Sequence, residues 1–115
     1  LIAGFIISGN TPKTLLVRGV GPTLGGFGVG GTLADPVMEL HTTINGQDVL
    51  VATNDNWEDE PNAAAAAAIP GPFPLNAGSK DAALLITLPA GAYTAQVAGA
   101  NQATGNALIE IYEIQ

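Results

Sequence analysis

Short apolar runs rich in β-branched residues recur along this chain between clusters of glycine, proline and asparagine. Such runs, bounded by turn residues, are typical of short antiparallel strands. The pattern predicts about seven strands, at residues 2–8, 14–20, 37–43, 48–53, 82–88, 92–98 and 107–114. We therefore expect an all-β fold, an antiparallel β-sandwich or a jelly-roll-like variant of one.

The clearest local signal is the dipeptide Asn45-Gly46 between the third and fourth strands. Both residue types tolerate the positive φ angles of a two-residue turn, so the sequence predicts a tight hairpin here. The one stretch that favours a helix is the alanine run at 63–68, which Pro61 and Pro70 keep short.

Two of the predicted strands are apolar on both faces. Strand 82–88 is almost uninterrupted in its apolar character, which predicts a central position in a sheet. The last strand, 107–114, also carries large apolar side chains on both sides. Strands of this kind need cover on both faces.

Composition favours one domain that is packed against neighbours. A chain of 115 residues can form one core, so a single sandwich domain over 1–115 is expected. Charged residues make up only 11% of the chain, against about 25% in typical soluble proteins. A surface so poor in charge resists self-association weakly, which favours extracellular assemblies or arrays.

The charge balance excludes some classes of partner. The net charge is -7, and the basic residues are Lys13, Arg18 and Lys80, so no basic patch is available for nucleic acid. No apolar run approaches the roughly 18 residues needed to cross a bilayer, and no membrane insertion is predicted. The chain opens at Leu1 without Met, and we expect a processed or excised piece of a secreted protein.

Five segments carry a family resemblance: LIAGFIISG at 1–9, LVRGVGPTL at 16–24, LADP at 33–36, ATNDNW at 52–57 and LPAGAYTAQV at 88–97. In this order they resemble a repeat module of very large secreted bacterial surface proteins. Segment 88–97 alone also resembles the last hairpin of bacterial pre-peptidase C-terminal domains. Both resemblances imply an extracellular β-sandwich, and the first implies no catalytic residues.

The first resemblance also implies one more strand upstream of Leu1, and it leaves open whether the sandwich lacks its first strand. Without that strand a sandwich exposes unpaired backbone and an apolar groove. A neighbouring copy could fill the groove by strand addition. The residues expected at such an interface are Ile2, Phe5, Ile7, Leu108, Tyr112 and Ile114.

An acidic loop is the one candidate metal site. Asp55, Glu58 and Asp59 supply hard oxygen ligands of the kind that calcium prefers, so calcium binding is a hypothesis for this loop. The spacing does not follow the EF-hand pattern, and a solvated acidic loop before a helix explains it as well. No other cofactor is expected.

No catalytic constellation can be assembled, and no enzyme activity is predicted. His41 is the single histidine and falls on the less buried face of its strand, and neither serine lies in a nucleophile elbow. Glu110 and Glu113 fall on opposite faces of the last strand, so they cannot form a glycosidase pair. The glycine-rich stretch 26–31 is not followed by the helix that nucleotide binding requires.

Three further residues have structural interpretations. Arg18 is expected to form an ion pair with an acid such as Asp35. Trp57 is expected to pack over the edge of the sandwich, with sugar stacking as the alternative. Tyr93 resembles the corner tyrosine of sandwich folds, whose hydroxyl ties down a connection; simple core packing is the alternative.

The leading functional hypothesis is a non-catalytic extracellular module of the bacterial surface. It would associate with copies of itself or with neighbouring surface-protein domains, through edge strands or strand donation, into a filament or array. The alternative is a carbohydrate- or calcium-binding accessory domain of a secreted enzyme.

Overall fold

A computed structural model describes residues 1–114 of the chain. Its seven strands are β1 Ile2–Ile7, β2 Lys13–Val20, β3 Pro36–Ile44, β4 Gln47–Asn54, β5 Ala82–Leu88, β6 Gly91–Gly99 and β7 Leu108–Ile114. They form two antiparallel sheets, with strand orders β1-β6-β3-β4 and β5-β2-β7. The all-β sandwich predicted from the apolar pattern is confirmed.

One core lies between the two sheets. Alternate residues of each strand point inward, so β2 contributes Leu15 and Val17 while β6 contributes Tyr93, Ala95 and Val97. The sheets approach so closely at Gly19 that a Cβ there would lie 2.9 Å from a methyl group of Val97. The other buried members of this core are Ile7, Leu33, Met38, Leu40, Ala82, Leu84 and Leu88.

A third layer covers the outer face of the three-stranded sheet. It is formed by the segment between β4 and β5, which contains a short 3₁₀ turn at Trp57–Asp59 and the helix α1, Pro61–Ala66. Trp57, Ala63 and Leu75 from this segment pack on Leu16 and Val20 of β2 in a second apolar cluster. The short alanine-rich helix predicted from the sequence is therefore present, and none of the helices within 1–114 is long and apolar enough to cross a membrane.

The third layer corrects the predicted position of β5. The apolar character of 82–88 predicts a central strand, yet β5 lies at the edge of its sheet and β2 is the central strand. β5 is apolar on both faces because one face meets the sandwich core and the other meets α1 and its neighbours. β5 is buried on both faces because layers lie above and below it, and not because a strand lies on each side of it.

Two local predictions about turns agree with the structure. Asn45 and Gly46 have φ angles of 52° and 79°, as a tight hairpin turn between β3 and β4 requires. The Tyr93 hydroxyl donates a 2.8 Å hydrogen bond to the carbonyl of Pro89 and so fixes the connection between β5 and β6. Tyr93 also stacks on Phe5 of β1, with ring centroids 5.5 Å apart.

Candidate functional site

The sandwich has one closed side and one open side. On the closed side, the start of β5 is tied to the end of β4, because the Asn54 side chain accepts a 3.0 Å hydrogen bond from the backbone N–H of Ala83. On the open side, the edges belong to β1 in one sheet and to β7 in the other. Within residues 1–114, no strand pairs with the outer edge of either one.

The four edge strands differ in how well they are protected against pairing with another chain. β4 carries Asp48 and a bulge opposite Leu40 and His41 of β3, and β7 carries Glu110 and Glu113. The start of β5 is hydrogen-bonded to the Asn54 side chain. Charges and bulges are the usual devices that keep edge strands from associating. β1, with the sequence IAGFII, has no charge, no proline and no register shift.

The backbone of β1 offers hydrogen-bonding groups to solvent. Leu1 both donates to and accepts from Val97 of β6, at 3.0 and 2.8 Å. In an antiparallel pair the bonded residues alternate along the strand. The N–H and C=O groups of Ile2, Gly4 and Ile6 therefore point away from β6, along the free edge.

Two isoleucine side chains of β1 are unusually exposed for their type. Ile2 is 67% exposed and Ile6 is 77% exposed, and both lie on the outer face of the four-stranded sheet. Between β1 and β7 runs a groove of about 310 Å³ whose apolar walls include Phe5 and Ile111. The open side thus combines a free backbone edge with accessible apolar surface.

The structure places the predicted interface residues in four different environments. Ile2 and Leu108 are exposed, whereas Phe5 is partly buried beside the groove. Ile7 is only 6% exposed and belongs to the core, so its side chain is already covered within the chain. Tyr112 and Ile114 pack against the cluster beneath the third layer. The sequence prediction missed Ile6, because an apolar run with no polar position does not reveal which face is internal.

The predicted calcium ligands do not converge. Glu58 accepts a 2.8 Å hydrogen bond from the N–H of Gly78, and within 1–114 no group of three His, Cys, Asp or Glu side chains is arranged to hold a metal. A hydrogen bond with the Asp35 carboxyl raises the pKa of Asp55, and partial burial and the charge of Asp35 raise it further. Calcium binding at this loop stays a prediction.

A buried carboxylate, Asp81, organises the connections around the third layer. Its Oδ1 accepts hydrogen bonds from the N–H groups of Gly21 and Thr23, at 2.8 and 3.3 Å, and its Oδ2 accepts from the hydroxyls of Thr23 and Ser79. Ser79 in turn accepts from the indole N–H of Trp57 at 3.1 Å. Asp81 is fully buried, so this network is structural and gives no access to a substrate.

Trp57 packs against the sandwich, but on the outer face of the three-stranded sheet and not over the edge where it was expected. It is 8% exposed and belongs to the cluster on the outer face of the three-stranded sheet. Its ring face is therefore not available to stack on a sugar. Carbohydrate binding by this chain stays a prediction.

Arg18 forms a different ion pair from the one expected. Its Nε lies 3.1 Å from Oε1 of Glu110 on the neighbouring strand β7, and Nη1 donates a 2.7 Å hydrogen bond to the carbonyl of Phe73. The Phe73 ring lies over the guanidinium, with Cζ 4.5 Å from the ring centroid. The expected partner Asp35 instead contacts Asp55. Strand pairing places Arg18 directly opposite Glu110, and this register could not be read from the sequence.

His41 lies on the outer face of the four-stranded sheet, as its alternation predicts. Its Nε2 is 2.9 Å from Glu39 and its Nδ1 is 3.0 Å from Asp48, so both ring nitrogens face carboxylates. The hydrogen bond with Glu39 raises the pKa of His41, partial desolvation opposes this, and Asp48 raises it further. A ring bonded on both sides has no free nitrogen for proton transfer in this arrangement.

Comparison of the chain with protein-family models, with curated proteins and with solved structures finds no match. The family resemblance carried by the sequence motifs stays a prediction.

Proposed function

We propose that this chain is a non-catalytic structural module that associates with copies of itself through its sheet edges and so builds an extracellular filament or surface array. One observation carries the proposal: β1 presents a free, uncharged backbone edge flanked by two exposed isoleucines. Natural sheets normally protect such an edge, because it is a template for pairing with another strand. An edge left without protection is best explained by a partner that covers it.

The composition supports the same proposal. Charged residues make up 11% of the chain, so few charges must be brought together or desolvated when copies meet. Exposed apolar side chains also occur away from β1, at Leu50 and Leu108, which are 51% and 38% exposed. A filament or array needs at least two contact surfaces per copy, and these positions supply candidates for the second.

An extracellular location is part of the proposal and rests on the resemblance to secreted surface modules. In that setting copies or neighbouring domains are held at high local concentration, which favours association through small contacts. The two sheets of the sandwich would provide the rigid body, and the edge strands would form the contacts between copies.

The proposal is tested by measuring the association of the purified 115-residue chain. Sedimentation velocity from micromolar to millimolar concentration should show a reversible increase in mass, and electron microscopy of concentrated samples should show filaments or sheets. Because each copy is acidic, association should strengthen as salt rises from low to moderate concentration. A chain that stays a folded monomer across this whole range would refute the proposal.

A further inference from the structure

The symmetry of β1 identifies the partner for its free edge. Reading outward from Gly4, the strand places Ile2 and Ile6 at equal distances on one face and Ala3 and Phe5 on the other. A strand with this pattern can pair with an identical strand related by a two-fold axis through Gly4. We infer that β1 of one copy pairs antiparallel with β1 of a second copy, centred on Gly4; this inference rests on the proposed function.

The free N–H and C=O groups of β1 are in the correct register for the pairing centred on Gly4. The groups that point away from β6 belong to Ile2, Gly4 and Ile6, as the bonding of Leu1 to Val97 fixes. Pairing about Gly4 sets Gly4 opposite Gly4 of the second copy and Ile2 opposite its Ile6. Each of these residues therefore meets a residue that also has a free N–H and a free C=O.

The side chains are complementary in the same register. On the outer face, exposed Ile2 contacts Ile6 of the second copy, and these are the two most exposed large hydrophobic side chains of the strand. On the inner face, small Ala3 lies opposite large Phe5 of the second copy, so the grooves beside β7 in the two copies become continuous. The two four-stranded sheets join into one sheet across the two-fold axis.

The charge and the length of β1 determine how strongly two copies are expected to associate. β1 contains no acid, so two copies with a net charge of -7 approach here with little local repulsion. A paired edge of six residues is about 20 Å long and buries less than the roughly 1,200 Å² of stable complexes. The pairing is therefore expected to be weak, concentration-dependent and dependent on a second contact for growth into larger assemblies.

The first test compares two matched substitutions. Ile6→Lys puts a charge on the proposed contact, and Ile44→Lys makes the same change at another exposed isoleucine of the same sheet. By sedimentation velocity, I6K should raise the dissociation constant about tenfold or more, whereas I44K should leave dimer formation within about twofold. Equal dissociation constants for I6K and I44K would overturn the inference. Circular dichroism spectra and melting curves verify that both variants are folded.

The second test locates the symmetry axis. The chain has no cysteine, so Gly4→Cys introduces a single thiol, and a Cβ at Gly4 has room, its nearest neighbour being the Tyr93 carbonyl oxygen at 3.9 Å. Opposed Cα atoms in a bonded antiparallel pair are about 5.5 Å apart, within disulfide range. Mild oxidation should link G4C into covalent dimers much faster than the control Ile44→Cys. Equal rates for G4C and I44C would contradict a two-fold axis at Gly4.

The outcomes separate this inference from the proposed function. A wild-type chain that remains monomeric refutes both. A wild-type chain that assembles, while I6K assembles equally well and G4C does not crosslink, retains the proposed function but refutes pairing through β1. The contacts would then have to involve β7 or another surface.

Discussion

Replacing Asp81 by asparagine should destabilise the chain more than any other single change from a carboxylate to an amide within 1–114. The substitution preserves shape and one carbonyl oxygen, which can still accept from the N–H groups of Gly21 and Thr23. The new NH₂ group then faces the hydroxyls of Thr23 and Ser79. The hydroxyl protons lose their acceptor, because the NH₂ group replaces the oxygen to which they donated. The hydroxyl oxygens already accept hydrogen bonds from the Asn76 N–H and from the Trp57 indole, so each has little capacity to accept another from the NH₂ group.

The size of the effect follows from the bonds lost. A hydrogen bond to a charged group contributes about 1.5–3 kcal/mol, and two such bonds from hydroxyls are affected. New bonds from the NH₂ group return part of this. We expect Asp81→Asn to lower the free energy of unfolding by about 2–4 kcal/mol and the melting temperature by about 8–16 °C.

The assay is urea and thermal unfolding followed by two probes. Far-ultraviolet circular dichroism reports the sheets, and the fluorescence of Trp57, the single tryptophan, reports the third layer. Asp59→Asn is the matched control: Asp59 is exposed, and its change should stay within about 0.5 kcal/mol. A melting temperature for D81N within about 3 °C of the wild type would refute the reasoning that Asp81 holds this region together.

Three further predictions follow from other charged groups. Arg18→Met leaves the largely buried carboxylate of Glu110 without its cation and should cost about 3 kcal/mol in urea unfolding, and adding Glu110→Gln should recover part of that loss. NMR titration of the single histidine, His41, should give a pKa above its ordinary value, and Glu39→Gln should lower that pKa. The stability contributed by protonated His41 is present below about pH 6.5 and is lost as the pH rises through the raised pKa of His41 in the folded chain. The raised pKa of Asp55 has the opposite effect, since its ionised form is disfavoured in the folded state. Stability therefore falls as the pH rises from the pKa of Asp55 in the unfolded chain through its raised pKa in the folded chain, and Asp55→Asn should remove this fall in pH-dependent melting.

The features predicted correctly from the sequence depend on local chemistry. The Asn45-Gly46 turn follows from the φ angles that these residues tolerate, and the strand limits follow from the turn residues that bound each apolar run. The hydrogen bond from the Tyr93 hydroxyl reaches the Pro89 carbonyl only four residues earlier, so the role of Tyr93 in this connection is local. Each of these features involves neighbours along the chain.

The features that were missed depend on contacts between distant segments. The pairing of β2 with β7 decides that Arg18 meets Glu110 instead of Asp35, and no single-chain pattern reveals that order. The acceptor role of Asp81 depends on donors about 60 positions earlier in the chain. At β1, an unbroken apolar run hides which residues are internal, so the sequence predicted Ile7 at the surface and overlooked Ile6.

The placement of β1 and β7 also has a mechanical consequence. Leu1 and Ala107 line the same pocket at one end of the sandwich, and Ile7 and Glu113 line the same groove at the other end, so the two strands run in the same direction in different sheets. Tension applied to the start of β1 and to the end of β7 would therefore act along the strands. The ladders to β6 and β2 lie across that direction and would bear the load together in shear, instead of opening one rung at a time. A sandwich with this geometry should therefore resist pulling along its strands more strongly than pulling across them.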